Sequence, residues 1–169
     1  MKTETLWESQ EYTPSGDPFL TVKRANSYFY YGVRGGKDSI AFILKDKNKN
    51  KYALISEEKP PLFEDGITHL TTAFGGSIDC DNTIEEICLF EVFEEAGYDV
   101  RLDDIEYLGD VLVSTQMNQM CHLFIVDVTD YYKSLPIEGG TEVMWLSKEE
   151  IINLQDWKAI TILVKAKEI

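Results

Sequence analysis

Three glutamates, Glu91, Glu94 and Glu95, stand within little more than one helical turn of one another. At the i, i+3 and i+4 spacings of a helix all three are neighbours. Like charges so placed repel, which costs stability unless a cation sits among them. A hard divalent ion such as Mg²⁺ suits the arrangement, because it takes carboxylate and backbone oxygens and keeps waters or phosphates as its other ligands. The flanking sequence reads as a device for holding the three. Gly75-Gly76 is a glycine turn, residues 77–82 are a short acidic loop, and Thr83 is a good N-cap. Glu86, three residues on, completes a capping box, and Gly97 supplies the C-terminal stop. At about 100° per residue, Cys88, Leu89, Val92, Phe93 and Ala96 gather on one apolar side. An acidic helix face is also what an ordinary solvated surface presents, so spacing alone leaves both readings open.

Residues 75–98 resemble the Nudix box, the signature of the Nudix hydrolases: Gly, five residues, Glu, seven residues, then Arg-Glu-apolar-x-Glu-Glu-x-Gly-apolar. Gly76 falls on the first Gly, and Glu91-Val92-Phe93-Glu94-Glu95-Ala96-Gly97-Tyr98 falls on the second half. The box is degenerate at two positions: Asn82 stands where the family has Glu, and Phe90 where it has Arg. That Arg would lie one turn before Glu94 and offset the glutamates' charge. Its loss could raise their pKa values, loosen their orientation, or be made good by a basic residue from elsewhere.

The resemblance implies an α+β fold, with a mixed β-sheet sandwiched between helices (α/β/α). It implies a pyrophosphohydrolase dependent on Mg²⁺ or Mn²⁺, cleaving a nucleoside diphosphate linked to another group. ADP-ribose or a nucleotide sugar is the leading substrate class. The metal would be held by Glu91, Glu94, Glu95 and the Gly75 carbonyl. The catalytic base would be a box glutamate or an acid of the glycine-rich loop at residues 136–141. In that loop Glu138 is favoured over Glu142, because flanking glycines would let it swing. Lys59-Pro60-Pro61 resembles the basic-Pro-Pro loop of ADP-ribose pyrophosphatases, which makes Lys59 a candidate for phosphate contact beside Arg34. Leu108-Gly109 with His122-Leu123-Phe124 resembles a segment that contributes to the substrate pocket in that branch. Two other classes stay in view. One is a Nudix-fold module that binds a nucleotide or protein without hydrolysis, motivated by Asn82 and Phe90. The other is an acidic cation-binding structural protein, disfavoured because the glutamates lie on a helix rather than in a calcium loop.

The elements around this stretch follow from pattern. Residues 19–23 and 27–33 read as strands, residues 39–44 and 51–55 as a hairpin, and residues 69–74 as the strand delivering the glycine turn. Residues 105–114, 121–128 and 142–146 read as further strands. The tail at 148–166 reads as one or two helices, with Trp157, Ile160, Leu163 and Val164 facing inward. Residues 1–20 are polar and turn-rich, anchored by Trp7 and Tyr12. The expected organisation is an N-terminal arm at 1–35 and a hydrolase domain at 36–169. Many relatives are dimers, and the aromatic N-terminal strands could support a homodimer.

With 16 basic and 30 acidic residues among 169, the formal charge is −14. Such a chain is repelled by a polyphosphate strand, which argues against a nucleic-acid polymer but not against a small nucleotide held by a metal. Cys80, Cys88 and Cys121 are odd in number and lack CxxC spacing, which fits a reduced, cytoplasmic protein. No apolar run approaches the ~18 residues of a membrane span, so no membrane partner is expected.

Overall fold

The structure, a computed structural model, describes residues 2–35, 38–134 and 142–169. In chain order these residues form β1 (Thr3–Glu8), β2 (Leu20–Ala25), β3 (Phe29–Arg34), β4 (Ser39–Asp46) and β5 (Lys51–Glu58). After a 3₁₀ turn (Pro60–Asp65) come β6 (His69–Thr72), β7 (Phe74–Ser77) and α1 (Ile84–Glu91). Then follow β8 (Ile105–Ser114), β9 (Met117–Asp127), β10 (Glu142–Leu146), α2 (Lys148–Ile151) and α3 (Trp157–Lys165).

Strand β4 organises the rest. It reads Ile40-Ala41-Phe42-Ile43-Leu44 with no alternation, as a strand covered on both faces must. It pairs in parallel with β9, from Ser39 opposite Cys121 to Lys45 opposite Asp127. Antiparallel partners are β5 at one end and β7 at the other. The described strands form one mixed sheet in the order β1-β2-β3-β9-β4-β5-β10, with β6 on β5, β7 on β4 and β8 on β9. One face of β4, with Ile40, Phe42 and Leu44, packs against Ile87, Cys88 and Val92 of the α1 segment. Ala41 and Ile43 pack on the other face against Ile151, Ala159, Ile162 and Leu163 of α2 and α3. The result is an α+β sheet with helices on both sides, as the sequence predicts. Each fully buried large apolar side chain contributes roughly 1.5–3 kcal/mol.

Several local expectations differ. The strand expected at 69–74 is two strands meeting at Ala73, because β4 and β5 pair only from Leu44 opposite Ala53 to Asp46 opposite Lys51. Where they part, β6 takes up β5 and β7 takes up β4. The helix expected through Ala96 stops being α-helical at Glu91 and widens into a π turn (Val92–Ala96), closed by Gly97 at φ 76°. A wheel drawn at one period therefore misplaces Phe93, which lies in the π turn and is exposed; Ile87, in the regular α-helical part, is buried as well. In α3 the inward residues are Ala159, Ile162 and Leu163, whereas Trp157 and Val164 are exposed. Residues 1–20 contain β1, whose six residues are all exposed, and Trp7, at 52% exposure, and Tyr12 anchor nothing buried. Strands β1 to β3 form a meander that meets β9 at Gly32 opposite Met117. Among the described residues, no helix is long and apolar enough to cross a membrane.

Candidate active site

The start of α1 is fixed as its sequence predicts. The Thr83 hydroxyl accepts the Glu86 amide at 3.2 Å, and the Glu86 carboxylate accepts the Thr83 amide at 2.9 Å. Capping sets the register that carries Glu91 and Glu95 back toward β7. Glu91 lies against Gly76 so closely that a Cβ there would sit 1.9 Å from its Oε1. Glycine at 76 is thus a requirement of the glutamate's position. Glu95 accepts the Gly75 amide through Oε2 at 3.3 Å. Gly75 in turn lies beside β4, where a Cβ would meet the Ile40 carbonyl at 2.9 Å.

The electrostatics follow from this crowding. Burial pushes Glu91 up to about 7, helped by the charges of Glu95, Glu94 and Asp79. Glu95 is also raised, by burial and by the charges of Glu57 and Glu94, against the opposing pull of the Gly75 amide and Lys158. Glu94 itself is exposed. Among the described residues, no three His, Cys, Asp or Glu side chains are assembled into a ready metal shell. Glu91 and Glu95 nevertheless form an oxygen donor set whose mutual repulsion a hard cation would relieve. Two protein carboxylates suit Mg²⁺, which keeps waters and phosphate oxygens. The donor chemistry therefore fits such an ion.

Where β4 and β5 part, an open cleft of about 390 Å³ forms, and Gly75, Gly76 and Glu95 lie in its wall. Arg34 also lines it, with its guanidinium donating to the Ser77 hydroxyl at 3.2 Å and lying over the Phe19 ring. Lys59 does not line the cleft; its ammonium is held by Glu57, whose carboxylate does. Glu142 is exposed on β10, and Glu138 lies outside the described residues. Phe90 is 50% exposed, so core packing does not account for it.

Among the cleft residues that sequence reasoning did not name as site residues are Glu57, Trp157 and Lys158. Glu57 accepts both the Thr72 hydroxyl and the Lys59 ammonium at Oε1. The sequence signal for it is its neighbour: Lys59-Pro60-Pro61 marks the segment as a loop of interest, and Glu57 stands two residues before it. Lys158 is the cation whose charge reaches Glu95, a role the sequence left without a candidate. Nothing local marked it, because it arrives from the far end of the chain.

The fold and cleft together define an α+β sandwich with carboxylates, cations and glycine backbone converging at one opening. No family model matches the chain, and no curated protein matches it. Its architecture recurs in solved structures. One of these, an ADP compounds hydrolase, matches with a TM-score of 0.69 over 99% of this chain and 91% of that chain, at 14% identity. At that identity the likeness establishes the shared fold.

Proposed function

We propose that the cleft hydrolyses the diphosphate of a nucleoside diphosphate joined to another group, of the ADP-ribose or nucleotide-sugar class. What carries the reading is the Glu91–Glu95 pair packed behind Gly75-Gly76, at the place where the Nudix resemblance puts metal ligands. The solved neighbour's description as an ADP compounds hydrolase supports the substrate class. Glu91, Glu95 and the Gly75 carbonyl would hold Mg²⁺ or Mn²⁺, and Glu94 would serve a further ion or orient the attacking water. When bound, such an ion would neutralise the diphosphate and make its water more acidic. Arg34 holds phosphate oxygens. A carboxylate takes the water's proton: Glu57 joins Glu138, Glu142 and the box glutamates as a candidate, since both its hydrogen bonds among the described residues fall on Oε1.

Residues 1–35 form a dimerising arm on the domain at 36–169, through the exposed Leu6, Trp7, Tyr28, Phe29 and Tyr30. A monomer mass in sedimentation removes that part of the proposal. Three unpaired cysteines suit the cytoplasm.

The test is product release from ADP-ribose, nucleotide sugars, dinucleoside polyphosphates and nucleoside triphosphates, with Mg²⁺, with Mn²⁺ and with chelator. Metal-dependent cleavage of one class establishes the enzyme. Silence from a folded sample assigns the cleft to nucleotide binding without hydrolysis, the reading that the exposed Phe90 favours.

A further inference from the structure

Asp156 is a buried carboxylate, 5% exposed, at the head of α3. Its Oδ2 accepts the Ala73 amide at 2.7 Å and the Ala159 amide at 3.3 Å, and its Oδ1 accepts the Lys158 amide at 3.3 Å. This cap ties the first turn of α3 to the residue where the chain passes from β6 to β7, two positions before Gly75. Ala159, Ile162 and Leu163 are fully buried beneath, which fixes the rotation of the helix. With that face locked, Trp157 and Lys158 stand in the cleft wall with Glu57, Gly75 and Glu95.

Two features of this wall point to its ligand. Asp156 occupies the first amides of α3, so the helix end is not what attracts an anion; the Lys158 ammonium is. Among the described residues Lys158 makes no ion pair, although eight ion pairs form elsewhere. A chain of charge −14, with Glu57 and Glu95 in the cleft, repels a polyanion unless local cations receive it. Trp157, 39% exposed at the same wall, adds a large π face. An aromatic face beside a cation that no described carboxylate pairs matches a ligand that carries a flat base and a charged diphosphate.

We propose that the first turn of α3 is the recognition wall of the cleft, where Trp157 stacks on the nucleobase of a nucleoside diphosphate and Lys158 pairs with its phosphates. The assignment rests on the hydrolase reading in placing a nucleoside diphosphate there, and a binding experiment separates the two. ADP and inorganic pyrophosphate are titrated calorimetrically into the full chain in Mg²⁺ buffer. Trp157→Ala weakens ADP about tenfold or more, and leaves pyrophosphate within about twofold. Trp157→Phe, which keeps a ring, restores most of the ADP affinity. Lys158→Gln weakens both ligands about tenfold. Wild-type affinity for ADP in the alanine and glutamine variants overturns this assignment while leaving the hydrolase reading in place. Equal weakening of ADP and pyrophosphate by Trp157→Ala overturns the stacking role. A wild-type protein that binds neither ligand overturns the hydrolase reading, and this inference with it.

Discussion

Glu95 lines the cleft and Glu91 lies beside it against Gly76, both among other carboxylates, whereas Glu168, near the C-terminal end, lies among cations. Burial raises both cleft glutamates, and neighbouring acids raise them further. Burial also pushes Glu168 upward, but the Lys45 ammonium, the Tyr52 hydroxyl donating at 2.6 Å and Lys148 at 3.6 Å outweigh it and hold the carboxyl low. One residue type thus serves two ends. The Glu168 cluster is complete within the chain and ties the tail to β4 and β5. The cleft pair is incomplete within the described residues: its repulsion is free energy that a bound cation would release. Self-sufficiency is what a structural role needs, and on the proposed reading a bound cation would supply what the second site lacks.

The largest test of that contrast is Glu95→Gln. The amide keeps the shape and can still accept from the Gly75 amide, but the charge is gone. Turnover should fall on the order of 10³-fold, while the thermal midpoint holds or rises because a repulsion has been removed. Full activity in this variant would sink the metal-dependent assignment. Gly76→Ala comes next. Its Cβ would sit 1.9 Å from Glu91 Oε1, so the carboxylate must move. A displacement near 1 Å is expected to cost on the order of 10²-fold in kcat/KM. An unchanged rate would show that the position of Glu91 is irrelevant to turnover.

Much of this was legible because it is local. The Thr83–Glu86 capping box, the Gly97 stop, the unbroken apolar run of β4 and the hairpin before β5 each carry their cause within a few residues. The π turn was not legible, because wheel arithmetic assumes one period through residue 96. Nor was the splitting of residues 69–74, since it depends on where β4 and β5 cease to pair. Lys158 and Trp157 were hidden for the same reason. Their place in the cleft is set by the long-range bond from Ala73 to Asp156, and Trp157 read from sequence as an inward helix residue. Glu57 is not legible because a carboxylate near a lysine looks like a surface pair until β5 carries it to the cleft.

At the other site, Glu168→Gln removes a charge that Lys45 and Lys148 share. Leaving those ammoniums without their counter-charge should cost about 1–3 kcal/mol and lower the midpoint by several degrees. Activity at permissive temperature should be unchanged, since this cluster does not line the cleft. Lost activity with unchanged stability would break the division between the two sites.

The smallest expected effect is the pH dependence of stability, and it has opposite sign at the two sites. In chelator, Glu91 titrates near 7 when folded and near its ordinary 4.5 when unfolded. Between those values the folded chain holds a proton that the unfolded chain has released, so stability falls as pH rises through the window. Glu168 is lowered by folding, so its contribution is complete above about 4.5 and is lost as pH falls through the folded value. Chemical denaturation across pH should therefore show Glu91→Gln flattening the profile between about 5 and 7, by no more than about 1–2 kcal/mol after solvent screening. Glu168→Gln should flatten only the acid limb. Adding Mn²⁺ at pH 7 should stabilise the wild type more than Glu91→Gln, because the ion takes the place of the proton between the carboxylates. Profiles that flatten in the same window for both variants would mean that the two sites are not electrostatically distinct.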